Sequence, residues 1–398
     1  MPSELIPCCR WLRTGDETFE AMLRAIDEAR DTIRLESYIY AAGALGERFR
    51  AALVRACQRQ VKVRVLIDSW GSLMLSEDFW IPLRSAGGEC RWFNPFHLKR
   101  FGFRDHRKLL VCDDRVGVVG GYNIAPEYEG DGVSKGWRDL ALRLEHPVVA
   151  ELAASFDLLF EHAAFRHRRF ARWRKPALAF GTRRPRRLNA DPRTWLTRRK
   201  SPLHTDGYTL LLDGPGARFN SFKRALRADL TQTRSVRIMT AYFLPTFRIR
   251  RGLLRLARKH GRVQLIFAGK SDVRLAQLAC QHLYMRLLKA GIEIYEYQPQ
   301  MLHAKMVLFD AHFYTGSANL DVRSLNINYE LMLRIQEPAL VEEAAEIFEQ
   351  AKSQSLPITL QAWRRNRSFW TRLRETWAHF ILARVDPFFI RWQLRRMR

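Results

Sequence analysis

The sequence predicts an α/β protein made of two similar halves, each a mixed β-sheet flanked by helices. Three observations lead there. A strand–helix–strand order occurs twice, with a period near ~200 residues. Each occurrence continues through a helical segment that stops at glycine and into another strand. Each then reaches the same spaced set of His, Lys, Asp and Asn.

In the first half, Thr32 to Tyr40 alternates as a strand, Leu45 to Arg59 has helical periodicity, and Val61 to Asp68 is a second strand. In the second half, a strand at Ser235 to Leu244, a helix at Arg248 to His260 and a strand at Val263 to Ala268 repeat the order. Helices ending at Gly87 and Gly88, or at Gly291, lead to strands at Cys90 to Phe93 and Glu293 to Tyr297. So long a period means duplicated half-domains rather than a solenoid. The expected division is 1–165 for the first half, 166–205 for a connector, 206–358 for the second half and 359–398 for a C-terminal segment.

With 398 residues the chain is long enough to bury a substantial core. Lys and Arg total 67 against 41 Asp and Glu, a formal charge of +26, which calls for an anionic partner, either nucleic acid or an acidic membrane surface. The connector concentrates this charge: Arg166 to Lys200 holds fourteen Lys and Arg and the single acid Asp191. Six scattered cysteines without C-x-x-C spacing point to free thiols in a reducing compartment. No signal-peptide pattern and no apolar run of spanning length occurs, so the expectation is a protein kept inside the cell.

The chemistry lies in the paired motifs. His106, Lys108 and Asp113 are followed by Gly120, Gly121 and Asn123; His303, Lys305 and Asp310 are followed by Gly316, Ser317 and Asn319. On a strand, residues i and i+2 share a face, so each His–Lys pair can address one phosphate. Asp113 and Asp310 have the opposite parity and stand where the apolar run ends, the position of a hairpin turn. Asp139 and Glu330, each just before an apolar strand, are the better candidates to hold an imidazole N–H.

These residues resemble the duplicated HKD motifs of the phospholipase D superfamily, from about Arg13 to Glu346. Within it, the stretches Thr240 to Pro245, Gly316 to Glu330 and Trp137 to Asp139 resemble bacterial cardiolipin synthases, of the short type that lacks N-terminal transmembrane helices. The resemblance implies two phospholipase D-like halves packed with pseudo-two-fold symmetry around one active site. It implies His106 as nucleophile and His303 as acid/base, with Lys108, Lys305, Asn123, Asn319 and Ser317 on the phosphate oxygens and Asp113 and Asp310 completing the motifs. No metal or other cofactor is required.

The segment 361–398 carries Trp363, Trp370 and Trp377 seven residues apart among arginines, which reads as one amphipathic helix for a membrane interface, broken at Asp386–Pro387. Docking of that helix on the protein's own core is the competing reading. The leading expectation is a peripheral phosphatidyltransferase on the cytoplasmic face of the bacterial cell membrane, with an anionic phospholipid bilayer and phosphatidylglycerol as partners and no obligatory nucleic acid. A nucleic-acid phosphodiesterase, a lipid-hydrolysing phospholipase D and a non-enzymatic membrane binder stay open.

Overall fold

The computed structural model describes residues 9–94, 102–163, 203–215, 220–365 and 367–385. Its first half runs β1 (Cys9–Leu12), α1 (Gly15–Glu28), β2 (Thr32–Ser37), α2 (Ala44–Gln58), β3 (Lys62–Asp68), α3 (Ile81–Ser85), β4 (Glu89–Phe93), β5 (Leu109–Cys112), β6 (Val116–Gly120), β7 (Ala141–Leu144) and α4 (Val148–His162). After this come β8 (Leu203–Thr205), β9 (Tyr208–Asp213), α5 (Ser221–Gln232), β10 (Ser235–Thr240), α6 (Phe247–Arg258), β11 (Arg262–Ala268), α7 (Arg274–Leu288), β12 (Glu293–Tyr297), β13 (Lys305–Leu308), β14 (Phe313–Gly316), β15 (Glu330–Ile335), α8 (Pro338–Ser353) and β16 (Ser355–Ile358).

One sheet has the order β1-β7-β6-β5-β2-β3-β4, the other β16-β12-β11-β10-β13-β14-β15-β9-β8. Without the edge strands β8 and β16, the second order is the first one repeated. In each, three parallel strands joined by helical crossovers continue into an antiparallel meander. The strand sequences account for this placement. In β2, Ile33 and Leu35 point into the core beneath α1 and α2, while Arg34 points to the opposite face and pairs with Asp157 on α4 at 2.9 Å. The residues of β5 and β13 are all buried, as fits central strands covered on both faces.

Helices α1 and α2 cover the outer face of the first sheet, and α5, α6 and α7 that of the second. The inner faces share one core with α4 and α8, which joins the halves through contacts such as the Trp11 ring 4.9 Å from that of Phe313. Leu203–Thr205, expected in the connector, pairs with β9 instead, so that end belongs to the second sheet. The remainder of the basic connector, 166–202, lies outside the described residues.

Among the described residues the C-terminal segment forms two α-helices, α9 (Leu360–Arg365) and α10 (Phe369–Phe380), rather than one. Ser368 starts α10 by capping Thr371 N at 3.2 Å. The tryptophan stripe therefore divides. Trp363 packs on Tyr284 with ring centroids 4.6 Å apart, whereas Trp370 and Trp377 are 68% and 59% exposed. Asp386, Pro387 and everything after them lie outside the described residues.

The motif aspartates close turns and do not face the histidines. Asp113 and Asp114 have φ of 54° and 53°, the left-handed pair that a tight hairpin between β5 and β6 needs. The Asp113 carboxylate accepts from the backbone N–H of Arg30, Asp31 and Thr32 at 2.8–2.9 Å, fixing the entry to β2. Asp310 does the same for β10, accepting from the hydroxyls of Ser235 and Thr233 at 2.6 and 3.0 Å. Burial pushes both carboxyls up, but these hydrogen bonds outweigh it and hold them below the usual carboxylate range. The motif's terminal aspartates thus sit at the turns where their parity puts them, each anchoring the start of a strand. Asp310→Ala should cost roughly 1–2 kcal/mol of stability, as loss of a capping carboxylate does. Thermal unfolding checks this; an unchanged melting point with abolished turnover would give the residue a catalytic role instead.

Candidate active site

The halves meet edge to edge through a reciprocal set of backbone hydrogen bonds. Just before β5, His106 N donates to Tyr329 O at 3.0 Å and Tyr329 N donates to Arg104 O at 2.8 Å. Just before β13, His303 N donates to Arg138 O at 2.7 Å and Arg138 N donates to Met301 O at 2.8 Å. The segment that leads to each motif histidine is therefore bound to the segment that leads to the opposite half's acid.

The side chains follow the same crossing. His106 Nδ1 lies 3.2 Å from Glu330 Oε2, and His303 Nδ1 lies 2.6 Å from Asp139 Oδ2. A carboxylate only accepts, so each acid favours a proton on Nδ1 and a lone pair on Nε2, while at His303 the Lys305 Nζ also lies 2.7 Å from Nδ1. Lys305 Nζ lies 3.3 Å from the same Asp139 oxygen, and Lys108 Nζ donates to His106 O at 2.6 Å. The charge of Lys305 acts on His106 and that of Lys108 acts on His303, so all four groups share one electrostatic neighbourhood.

That neighbourhood is buried and crowded with cations. Burial lowers Lys108 to about 7, with the charge of Lys305 working in the same direction and Glu330 and Asp139 opposing. Burial and then Lys305 lower His303 to about 3, against the pull of Asp139. His106 moves down for the same reasons, burial first and Lys108 next. For Glu330, burial pushes up, but His106, Lys108 and Ser317 outweigh it and hold the carboxyl at about 2. A buried group of ammonium and imidazole groups with carboxylates behind it suits a phosphodiester anion in front.

Three candidates for the phosphate occupy different places from one another. Asn319 is buried and its Oδ1 has no hydrogen-bond partner among the described residues. Asn123 accepts from Ile39 N at 3.0 Å and donates to the Tyr128 hydroxyl at 2.7 Å. Ser317 donates its only hydroxyl proton to Glu330 Oε2 at 2.5 Å and accepts from Leu331 N at 3.0 Å. The geometry thus ties Ser317 to the acid that holds His106. Where Ser317 stands in one half, Gly121 stands in the other, and a Cβ there would lie 2.2 Å from Asp139 Oδ1. The shorter acid needs the bare glycine to reach His303.

An aromatic frame around the imidazoles was missed by the motif reading. Tyr38 lies 4.8 Å from the His106 ring; Tyr128 and Trp137 each lie 5.4 Å from that of His303, and Tyr242 lies 6.5 Å from it. The available signal was position, because Tyr38 and Tyr242 both follow the first strand of their repeat. Asp68 was missed too. Its carboxylate accepts from Asp105 N at 2.8 Å and so fixes the backbone next to His106.

The comparisons agree with this geometry. A family model described as "Cardiolipin synthase, PLD-like domain" matches residues 22–161 and 226–352. Cardiolipin synthase B of Escherichia coli K12 is 33% identical over 327 residues, covering 80% of this chain and 74% of that protein. Cardiolipin synthase 1 of Bacillus cereus is 31% identical over 380 residues, covering 93% and 71%. Among solved structures, the phosphatidylserine synthase of Haemophilus influenzae Rd KW20 superposes with a TM-score of 0.73 at 15% identity over 96% of this chain and 95% of that one, a likeness of fold. The doubled motif, the crossed acid–imidazole pairs and these matches place the chain in the cardiolipin synthase family of phospholipase D-like proteins, as a phospholipase D-type phosphatidyltransferase.

Proposed function

We propose that the protein makes cardiolipin from two molecules of phosphatidylglycerol, releasing glycerol, through a phosphohistidine. The observation that carries this reading is the crossed pairing of His106 with Glu330 and His303 with Asp139. It leaves two imidazole Nε2 atoms for one phosphorus.

In the first step His106 Nε2 attacks phosphorus, forming the P–N bond as the bond to the departing glycerol oxygen breaks. The other imidazole, His303, gives that oxygen its proton. In the second step His303 takes the proton from the free hydroxyl of the incoming phosphatidylglycerol. The new P–O bond forms as the P–N bond breaks. Lys108, Lys305 and Asn319 stabilise the negative charge on the non-bridging oxygens. Asp139 and Glu330 hold the imidazole tautomers and balance the positive charge that develops on the rings.

We further propose that α10 docks the enzyme on an anionic bilayer. Glu375 and Ala378 face the protein, while Phe369, Trp370, Trp377 and Phe380 are exposed and accompanied by Arg372 and Arg374. Among the described residues, no helix is long and apolar enough to cross a membrane. Exposed Val273 and Leu275 at the start of α7 extend the apolar surface toward the site, because the neighbouring Asp272 accepts from the Tyr242 hydroxyl at 2.5 Å.

The decisive assay is product analysis with phosphatidylglycerol vesicles: cardiolipin and glycerol are expected. Phosphatidic acid alone would show a hydrolase, and cleavage of DNA or RNA with no lipid turnover would show a nuclease. Acid quench during turnover should trap phosphate on His106; label on His303 alone would reverse the two roles. Asp139→Asn should lower kcat by ~10²-fold or more, as loss of an imidazole's orienting carboxylate does. An undiminished kcat in that variant would remove Asp139 from the mechanism. The Trp370→Ala, Trp377→Ala double variant should bind phosphatidylglycerol vesicles about tenfold more weakly while the fold is kept.

The pH dependence has a definite sign. Lys108, lowered to about 7, loses its charge in the empty site as pH rises through neutrality, so kcat/KM should fall on the alkaline side with an apparent pKa near 7. Bound phosphate favours the ammonium, so kcat should stay high to a more alkaline pH. Identical alkaline limbs in the two profiles would exclude Lys108 as their source.

A further inference from the structure

A second group of cations stands where α6, α7 and α10 meet, and the reaction above does not use it. Small residues assemble it. Ala279 of α7 and Ala378 of α10 are buried in one apolar contact with Leu244, Leu278 and Leu382, so the two helices approach closely. This brings the rings of His282 and His379 to 4.6 Å between centroids and Thr376 Oγ1 to 3.4 Å from His282 Nδ1. Arg286 stands one turn beyond His282 on α7. Arg384 lies in the π-helical turn Ile381–Val385 that continues α10, and Arg250 comes from α6. Arg286 and Arg384 both act electrostatically on Arg250, which acts in turn on both imidazoles. These side chains are therefore one group.

No acid answers it. The three helices and the π-helical turn carry a single carboxylate, Glu375, which is buried and paired with Arg367. No carboxylate among the described residues acts on Arg250, His282 or His379. Burial lowers Arg250, and the charges of Arg286 and Arg384 lower it further. Burial, then His282, Arg250 and Arg384, lower His379 to about 4. Arg250 and the imidazoles are half-buried while Arg286 and Arg384 are exposed, so the group is open to a ligand from outside. Guanidinium groups held together without a counter-ion gain from an anion bound among them.

The rim indicates which anion. Phe247, three residues before Arg250 on α6, is 59% exposed, and the exposed Trp377 and Phe380 flank His379 on α10. Aromatic side chains around arginines suit the level of a bilayer where acyl chains give way to phosphate; a soluble ion would gain nothing from them. We infer that Arg250, Arg286 and Arg384, with His282 and His379, bind the phosphate of an anionic bilayer lipid at a site separate from the reacting histidines. The inference rests on the docking of α10 proposed above. It adds a headgroup contact that draws α6 and α7 onto the same surface.

Co-sedimentation with phosphatidylglycerol vesicles at fixed salt tests this. The Arg250→Gln, Arg384→Gln double variant should bind about tenfold more weakly or worse, and lysine at both positions should recover part of the loss. Because these cations repel one another, the glutamine variant should melt no lower than the wild type; a lower melting point would assign the arginines to the fold and overturn the site. Arg48→Gln with Lys62→Gln removes the same charge from the first half and should change binding by less than about twofold. Equal loss in that control would replace the site by diffuse attraction of a basic protein to an anionic surface. Undiminished binding by the Arg250→Gln, Arg384→Gln variant would overturn the inference and leave α10 docking intact. If, in addition, inorganic phosphate raised the melting point of the wild type and not of the variant, the site would belong to a soluble anion. A wild-type protein that ignores phosphatidylglycerol vesicles would sink the docking itself, and this site with it.

Discussion

The crossing of acid and imidazole between the halves is the constraint from which the rest of the site follows. Each histidine takes its acid from the other repeat. His106 depends on Glu330 of the second half, and His303 on Asp139 of the first. The backbone hydrogen bonds at Tyr329 and Arg138 hold the two edges in the register that this exchange requires. Association of the halves and preparation of the catalytic groups are thus one event, and the shared core of α4, α8 and both inner sheet faces stabilises both.

Burial sets the electrostatic character of the empty site. Lys108 and Lys305 are both buried; Lys305 makes protonation of Lys108 harder, and both lysines make protonation of the two imidazoles harder. Asp139 and Glu330 stand behind the imidazoles and recover part of that cost. The remainder is recovered by a phosphate anion, so cationic crowding serves as stored affinity for the substrate's charged group and not for its glycerol or acyl chains. The aromatic frame of Tyr38, Tyr128 and Trp137 keeps the surroundings poor in water, where these charges act strongly.

Much of this was legible in the sequence. The duplication showed because a strand–helix–strand order with matched motifs is a one-dimensional pattern, and the acids Asp139 and Glu330 showed because each precedes an apolar strand. Other features depend on which segments meet in space. β1 and β9 were not read: Cys9–Leu12 is too short for a clear alternation, and Tyr208–Asp213 is buried along its whole length, so period two vanishes. Parity on a strand turned Asp113 and Asp310 away from the histidines but could not show that they anchor Thr32 and Ser235. The partners of Ser317 and Asn123 were hidden for a further reason. A polar side chain beside a motif reads as a ligand contact until the backbone brings Glu330 or Ile39 within its reach. Trp363, Trp370 and Trp377 share a heptad spacing, but the stop before Ser368 sends the first inward and the other two outward.

Duplication did not leave two equal histidines. His303 sits closer to its acid than His106 does, 2.6 Å against 3.2 Å, and the acid side chain is shorter. The glycine–aspartate pairing of Gly121 with Asp139 and the serine–glutamate pairing of Ser317 with Glu330 are two solutions to one distance problem. They differ in how firmly the ring is fixed. A tightly held imidazole, pushed down to about 3 by burial and by Lys305, cannot hold a second proton in the empty site. A phosphate anion between the lysines reverses that field, so the same ring becomes able to carry a proton once substrate is bound. In the roles proposed here, the general acid acquires its function from the substrate it protonates, and the site without lipid has no protonated His303 available.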